Sequence, residues 1–148
     1  MSFHSDLAFG EQGELFVLGK LHYKYPEAFK VEGYYKEWDL FVPEKEIGIE
    51  VKSDRATHKT GNVVIENKYG GVPSGIETTK ATWWAYITKD NLYWITPDKI
   101  RECIKDNNIE AAEFPPIEGD FKKKSLYLIK ETLFKKYAKR SEKIDGRN

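Results

Sequence analysis

A chain of 148 residues with 40% hydrophobic and 14% aromatic residues can bury a core without staples, and reads most simply as one domain over 1–148. A mean hydropathy of -0.64 and the lack of any apolar run near the roughly 18 residues of a membrane helix exclude a spanning segment. Net charge is zero, yet residues 121–148 carry +7 and residues 1–120 carry -7, so a basic C-terminal segment follows an acidic body.

The first twenty residues hold Asp6, Glu11 and Glu14 and lack the basic start and apolar core of a signal peptide. Cys103 stands alone, cannot form an internal disulfide and suits a reducing interior. A cytoplasmic location is therefore expected, the host cytoplasm for a phage-encoded chain.

In chain order, Ser5 or Asp6 can cap a helix running to about Tyr23, with Leu7, Leu18 and Leu21 on one stripe. Glu14 falls inside that stripe, where a carboxylate is either buried at a cost, aimed at something, or turned out at the rim to water. Residues 29–37 predict a strand, followed by a meander in which Asp39 heads Leu40-Phe41-Val42 and a turn at Pro43-Glu44-Lys45-Glu46 leads into Ile47-Gly48-Ile49-Glu50-Val51-Lys52. Alternation puts Ile47, Ile49 and Val51 on one face, and Glu50 and Lys52 together on the other. If the two runs pair as a hairpin, Asp39 comes beside both charged residues.

Residues 53–60 predict a polar loop beside this cluster, 61–66 a strand, and the turn-rich run 69–75 a flap or a plain connection. Residues 78–87 begin helix-like and pass into a strand whose partner is Leu92-Tyr93-Trp94-Ile95, and Pro97 opens a helix to about Asn107 with Cys103 on its core face. Residues 108–120 predict an irregular connection, 126–129 a last strand and 131–143 a last helix. The order of elements is that of an α/β fold around a mixed β-sheet flanked by helices.

Asp39, ten intervening residues, and an apolar strand ending Glu50-Val51-Lys52 resemble the motif of the PD-(D/E)XK nuclease superfamily. The proline that precedes the family's aspartate is Trp38 here, and Glu14, 25 residues before Asp39, is similar in placement to the helix glutamate of archaeal Holliday-junction resolvases. The resemblance covers about residues 5–95 and implies a restriction-endonuclease-like core and a metal-dependent endonuclease. It also implies a ligand set of Asp39, Glu50, the Val51 carbonyl and Glu14. Lys80 with Trp84 four residues on is similar to a further polar-aromatic element of some members, although a tryptophan pair at 83–84 is also ordinary core.

The chemistry agrees with the motif. Phosphodiester hydrolysis needs a water deprotonated near neutral pH and stabilisation of charge on the phosphate oxygens. Carboxylates and a carbonyl suit Mg²⁺, for which Mn²⁺ substitutes, and leave positions for water and phosphate. Catalytic residues are then Asp39, Glu50, Lys52 and Glu14, with Lys52 acting on the attacking water and the developing charge. A second Glu-x-Lys, Glu66-Asn67-Lys68, follows Asp54 by twelve residues and competes with the first copy, so Glu66, Asp54 and Lys80 remain additional candidates.

On the predicted last helix, Lys135, Lys136, Lys139 and Arg140 lie away from Phe134, Tyr137 and Ala138, as a phosphate-binding face or merely a solvated one. DNA is the expected partner, with a homodimer supplying two centres for two strands. The compact chain suits a phage, recombination or repair role. The alternatives are a catalytically inactive DNA-binding module on the same fold, a nuclease for other DNA or RNA, and an α/β domain whose charges are surface salt bridges.

Overall fold

The computed structural model describes residues 3–34, 36–55, 57–116 and 121–144, and side chains from residue 9 onward. A long helix, α1 (Phe3–Leu21), opens the chain. It begins before Ser5 and Asp6, the caps expected from sequence, whose side chains lie outside the described set. A meander follows of β1 (Phe29–Lys30), β2 (Leu40–Val42) and β3 (Ile47–Ser53), then a one-turn helix, α2 (Thr57–Thr60). Next come β4 (Asn62–Tyr69), β5 (Val72–Pro73) and a 3₁₀ turn at Gly75–Glu77. The chain continues with β6 (Trp83–Ile87), β7 (Asn91–Ile95), α3 (Pro97–Asp106), β8 (Ala112–Phe114), β9 (Lys124–Lys130), α4 (Glu131–Tyr137) and β10 (Arg140–Lys143).

The strands form two sheets, one of six in the order β1-β2-β3-β6-β7-β10 and one of four in the order β5-β4-β9-β8. The larger sheet is mixed: β3 and β6 run parallel, with Glu50 opposite Trp84 and Lys52 opposite Tyr86, while its other pairs are antiparallel. The fold is α/β, as expected, but a second sheet occupies much of the layer where helices alone were expected. Among the described residues no helix is long and apolar enough to cross a membrane.

Period-2 alternation sorts the larger sheet into two faces. Leu40, Val42, Ile49, Val51, Ala85, Ile87 and Leu92 pack with Val17 of α1. Trp84, Tyr86, Tyr93 and Ile95 look the other way, onto Val63 and Ile65 of β4, Ile129 of β9, Ile100 and Cys103 of α3, and Phe134 of α4. Tyr86 ties the two sheets, its hydroxyl accepting from Val64 N at 2.9 Å. Burial pushes the Cys103 thiol up to about 11, with the Asp106 charge adding to it, which fits the core role expected of this residue.

Several expected elements differ. The strand predicted over 29–37 stops at Lys30, because Gly33 adopts a φ of 116° that breaks an extended run. The chain loops out and returns, Val31 N donating to Asp39 O at 2.9 Å. Residues 57–60 form a helical turn capped by Asp54, whose Oδ1 accepts from Thr57 N at 3.1 Å. The 69–75 run is a tight β4–β5 hairpin through Gly70 and Gly71, both at positive φ, followed by the 3₁₀ turn. Residues 78–82 are not helical: Thr79 Oγ1 accepts from Ala81 N at 3.3 Å and from Trp84 Nε1 at 3.0 Å, a side-chain alternative to helix bonding.

The 108–120 connection contains β8, with 117–120 outside the described residues. The last helix ends at Tyr137, not near Lys143, because Ala138 turns extended at ψ 142° and Lys139 N donates to Trp94 O at 2.8 Å. Residues 140–143 then add an edge strand to β7.

Candidate functional site

The β2–β3 hairpin places the central acid. Its turn, Pro43 to Glu46, closes with Glu46 at φ 55°, and the ladder pairs Val42 with Ile47, Phe41 with Gly48 and Leu40 with Ile49. At Asp39 the register slips by one, Asp39 N donating at 3.0 Å to the O of Ile49, which is the partner of Leu40. Its side chain replaces the next ladder bond: Asp39 Oδ2 accepts from Val51 N at 2.8 Å. The residue before it is fixed by packing. Trp38 stacks on Phe41 at 5.7 Å and lies against Gly48, where any side chain would collide with the indole.

Glu50 and Lys52 leave β3 on the face toward the second sheet, as their spacing predicts, with Lys52 Nζ 3.3 Å from Glu50 Oε2. Lys52 Nζ also lies 5.5 Å from the centre of the Trp84 ring, a cation–π contact that aims the ammonium along the cleft floor. Glu14 arrives from α1, 14% exposed, with Oε1 buried and lacking a hydrogen-bond partner.

The residue missed from sequence is Lys36. Delivered by the loop that Gly33 opens, its Nζ lies 3.2 Å from Asp39 Oδ1 and 4.0 Å from Glu14 Oε2. Lys30 Nζ supports from the far side, 3.5 Å from Glu14 Oε1. Three carboxylates from α1, β3 and the residue before β2 thus act on one ammonium. The only hint in sequence is that Lys36 stands three residues before Asp39, within a segment read as a strand.

Electrostatics follow from that crowding. Burial, then the Asp39 charge, push the Glu14 carboxyl above the usual carboxylate range, against the pull of Lys36 and Lys30. Burial raises the Glu50 carboxyl too; Asp39 adds to the rise, and Lys52 and Lys36 oppose it. For Lys36, burial disfavours the charged form, but Asp39, Glu14 and Glu50 outweigh it and hold the ammonium above the usual lysine range.

A cleft of about 260 Å³ opens over Glu50 and Lys52, and Lys36, Glu66, Thr79, Lys80 and Trp84 also line it. Glu66 therefore faces the same space from the other sheet, its Oε2 accepting from Ser74 Oγ at 2.7 Å. Lys80 reaches the cleft from an irregular approach to β6, not from the helix expected for it. Asp54 does not line it: Thr57 N, Thr57 Oγ1 and the Tyr86 hydroxyl all donate to this carboxylate. The basic residues expected on one helix are divided, Lys135 and Lys136 in the last turn of α4, Lys139 in the connection and Arg140 opening β10. Among the described residues no three His, Cys, Asp or Glu side chains form a metal-binding group, and Lys36 occupies the space between the acids.

The chain matches no protein-family model, no curated protein and no solved structure.

Proposed function

We propose that the protein is a Mg²⁺-dependent DNA endonuclease hydrolysing phosphodiester bonds at Glu14, Asp39, Glu50 and Lys52, with Mn²⁺ as a substitute. Branched DNA of the Holliday-junction kind is the substrate implied by the resemblance of these residues to the PD-(D/E)XK pattern. The observation that carries the reading is the Lys36 ammonium, a cation standing among acids that a divalent ion would neutralise more fully.

The donor chemistry suits such an ion, which would need the acids to close in where Lys36 stands. Asp39 and Glu50, with Glu14 directly or through water, offer hard oxygen donors of the kind Mg²⁺ prefers. The buried Glu14 Oε1 is met by Lys30 only at 3.5 Å, and a hydrated cation would supply a closer donor. In an extended residue the N–H and C=O face the same neighbouring strand, so the Val51 carbonyl faces the side where its N–H meets Asp39. When bound, the ion would lower the pKa of a water and stabilise charge on the phosphate oxygens.

The chain's own residues supply the rest. Lys52, held by Glu50 and the Trp84 ring, directs its ammonium at the attacking water and at the oxygens where charge develops. Lys36 would give up Asp39 and Glu14 to such an ion, and Lys80, which lines the cleft, would meet a phosphate there. A homodimer would present two such centres to two strands.

A catalytically inactive DNA-binding module is the second reading, favoured by the same ammonium, which already neutralises two of the acids. The purified protein should be incubated with a four-way junction, linear duplex, single-stranded DNA and RNA, in Mg²⁺, Mn²⁺ or EDTA. Cleavage in Mg²⁺ or Mn²⁺ that EDTA stops is the expected result; binding without cleavage in either metal would leave the inactive module.

A further inference from the structure

A second groove, of about 230 Å³, lies between the end of α1 and the β7–β10 edge. It belongs to the other face of the larger sheet, since Trp94 packs with the α1-side cluster while Glu50 and Lys52 point away from it. Tyr23, Tyr25 and Trp94 supply aromatic walls, and Lys20, Lys24 and Arg140 a cationic rim.

Backbone bonds fix the turn that carries Tyr23 and Tyr25. Lys24 N and Tyr25 N both donate to Leu21 O, at 3.0 and 2.6 Å, and His22 Nε2 meets Ala28 O at 2.8 Å, so the aromatic wall is pinned to the helix end. Lys24 Nζ lies 5.5 Å from the centre of the Tyr25 ring. Glu142 is shared by Lys20, at 3.0 Å, and Arg140, at 3.5 Å, which leaves the groove with a surplus of positive charge. Tyr23 is 95% exposed, a large ring held open to solvent. The Trp94 ring is half-buried in the groove wall, with its indole N–H turned away from solvent.

We propose that this groove holds one unpaired nucleotide of a nucleic-acid strand. The base stacks on the Tyr23 and Trp94 rings, and the flanking phosphates rest on Lys24 and Arg140. Rings interleaved with cations match the alternation of base and phosphate along a single strand. An acidic peptide would satisfy the cations, but its carboxylates offer no planar face to stack on the exposed Tyr23 ring. Leu21, in the groove wall, stands seven residues after Glu14 and so nearly on the same stripe of α1. At about 1.5 Å per residue the two lie about 10 Å apart along the helix axis.

The proposal takes its partner class from the nucleic-acid reading above but does not depend on hydrolysis, so its test is run in EDTA. Anisotropy of a short labelled oligothymidylate, compared with an abasic strand of equal length, reads the aromatic contribution directly. Tyr23→Ala and Trp94→Phe should each weaken oligothymidylate binding by about tenfold, and the abasic strand should bind wild type as poorly as oligothymidylate binds these variants. Lys24→Gln should flatten the salt dependence instead. Unchanged affinity in both aromatic variants, equal binding of the abasic strand, or no oligothymidylate binding by wild type would each overturn the proposal. Cleavage of long DNA in Mg²⁺ is scored separately: a chain that cuts but ignores oligothymidylate loses the groove and keeps the nuclease, and one that binds through Tyr23 without cutting does the reverse.

Discussion

Glu50-Val51-Lys52 and Glu66-Asn67-Lys68 carry the same charge spacing on two strands that face one cleft, yet only the first brings its acid and its lysine together. On β3 the pleat is regular, and Lys52 Nζ falls 3.3 Å from Glu50. On β4 the register against β9 shifts between Glu66 and Lys68, Asn67 is buried, and Lys68 sits exposed opposite Pro73 and Ser125. The neighbours differ as well. Glu50 has Lys52, Asp39 and Lys36 within electrostatic reach, whereas Glu66 has the Ser74 hydroxyl and Lys124, 4.0 Å away. A tripeptide therefore does not define a site; the elements that converge on it do.

The largest effect should separate the two glutamates. Asp39→Ala or Glu50→Ala should lower the single-turnover cleavage rate by on the order of 10³-fold or more, while Glu66→Ala stays within several-fold of wild type. Loss in Glu66→Ala with Glu50→Ala active would move the centre to β4. The lysines come next. Lys52→Ala should reduce saturated turnover by on the order of 10²-fold without moving the metal concentration at half-maximal rate, and Lys68→Ala should change neither. A strong shift in metal titration at unchanged saturated turnover would remove Lys52 from the role assigned to it.

Lys36 sharpens the contrast without needing catalysis. Replacing it with methionine should let Mg²⁺ stabilise the fold at about tenfold lower concentration, read from melting temperature against added metal. Neutralising Lys124 beside Glu66 should leave that curve in place, and identical curves for wild type and Lys36→Met would refute the idea that the ammonium occupies the cation's position.

The smallest effect concerns pH. Because the Glu50 carboxyl is raised in the fold, ionising it costs stability, and that cost is lifted as pH falls through the raised folded value and is gone below the ordinary glutamate value. Glu50→Gln should therefore melt slightly higher than wild type at pH 7, with the gap closing as pH falls toward about 4. Glu66→Ala should instead lose about 0.5–1.5 kcal/mol, because Ser74 forfeits its acceptor. A lower melting temperature for Glu50→Gln at pH 7 would reverse the sign argued here.

Much of the β3 neighbourhood was legible in the sequence because alternation and a local hairpin are short-range signals. Ile47, Ile49 and Val51 fixed the face of Glu50 and Lys52, and the turn at Pro43 set Asp39 beside them. Lys36 was not legible, because its position depends on how a loop with Gly33 at positive φ returns to Asp39. The end of the chain misled for another reason. Arg140-Ser141-Glu142-Lys143 is polar on both sides, as an edge strand can be, and carries no alternation to set against helix propensity. Pairing of β4 with β9 joins residues about sixty apart, and the register shift at Asn67 has no local signature.

That long-range pairing bears on how the molecule comes into being. The β2–β3 hairpin closes over a short turn and should form early, before most of the polypeptide has left the ribosome. The opposite wall of the cleft is β4, and until β9 is synthesised β4 has only two rungs of β5 beside it. The acids around Asp39 should thus be assembled well before Glu66, Ser74 and Thr79 are held against them, so the nascent chain would carry the acidic cluster exposed and complete the cleft over it last.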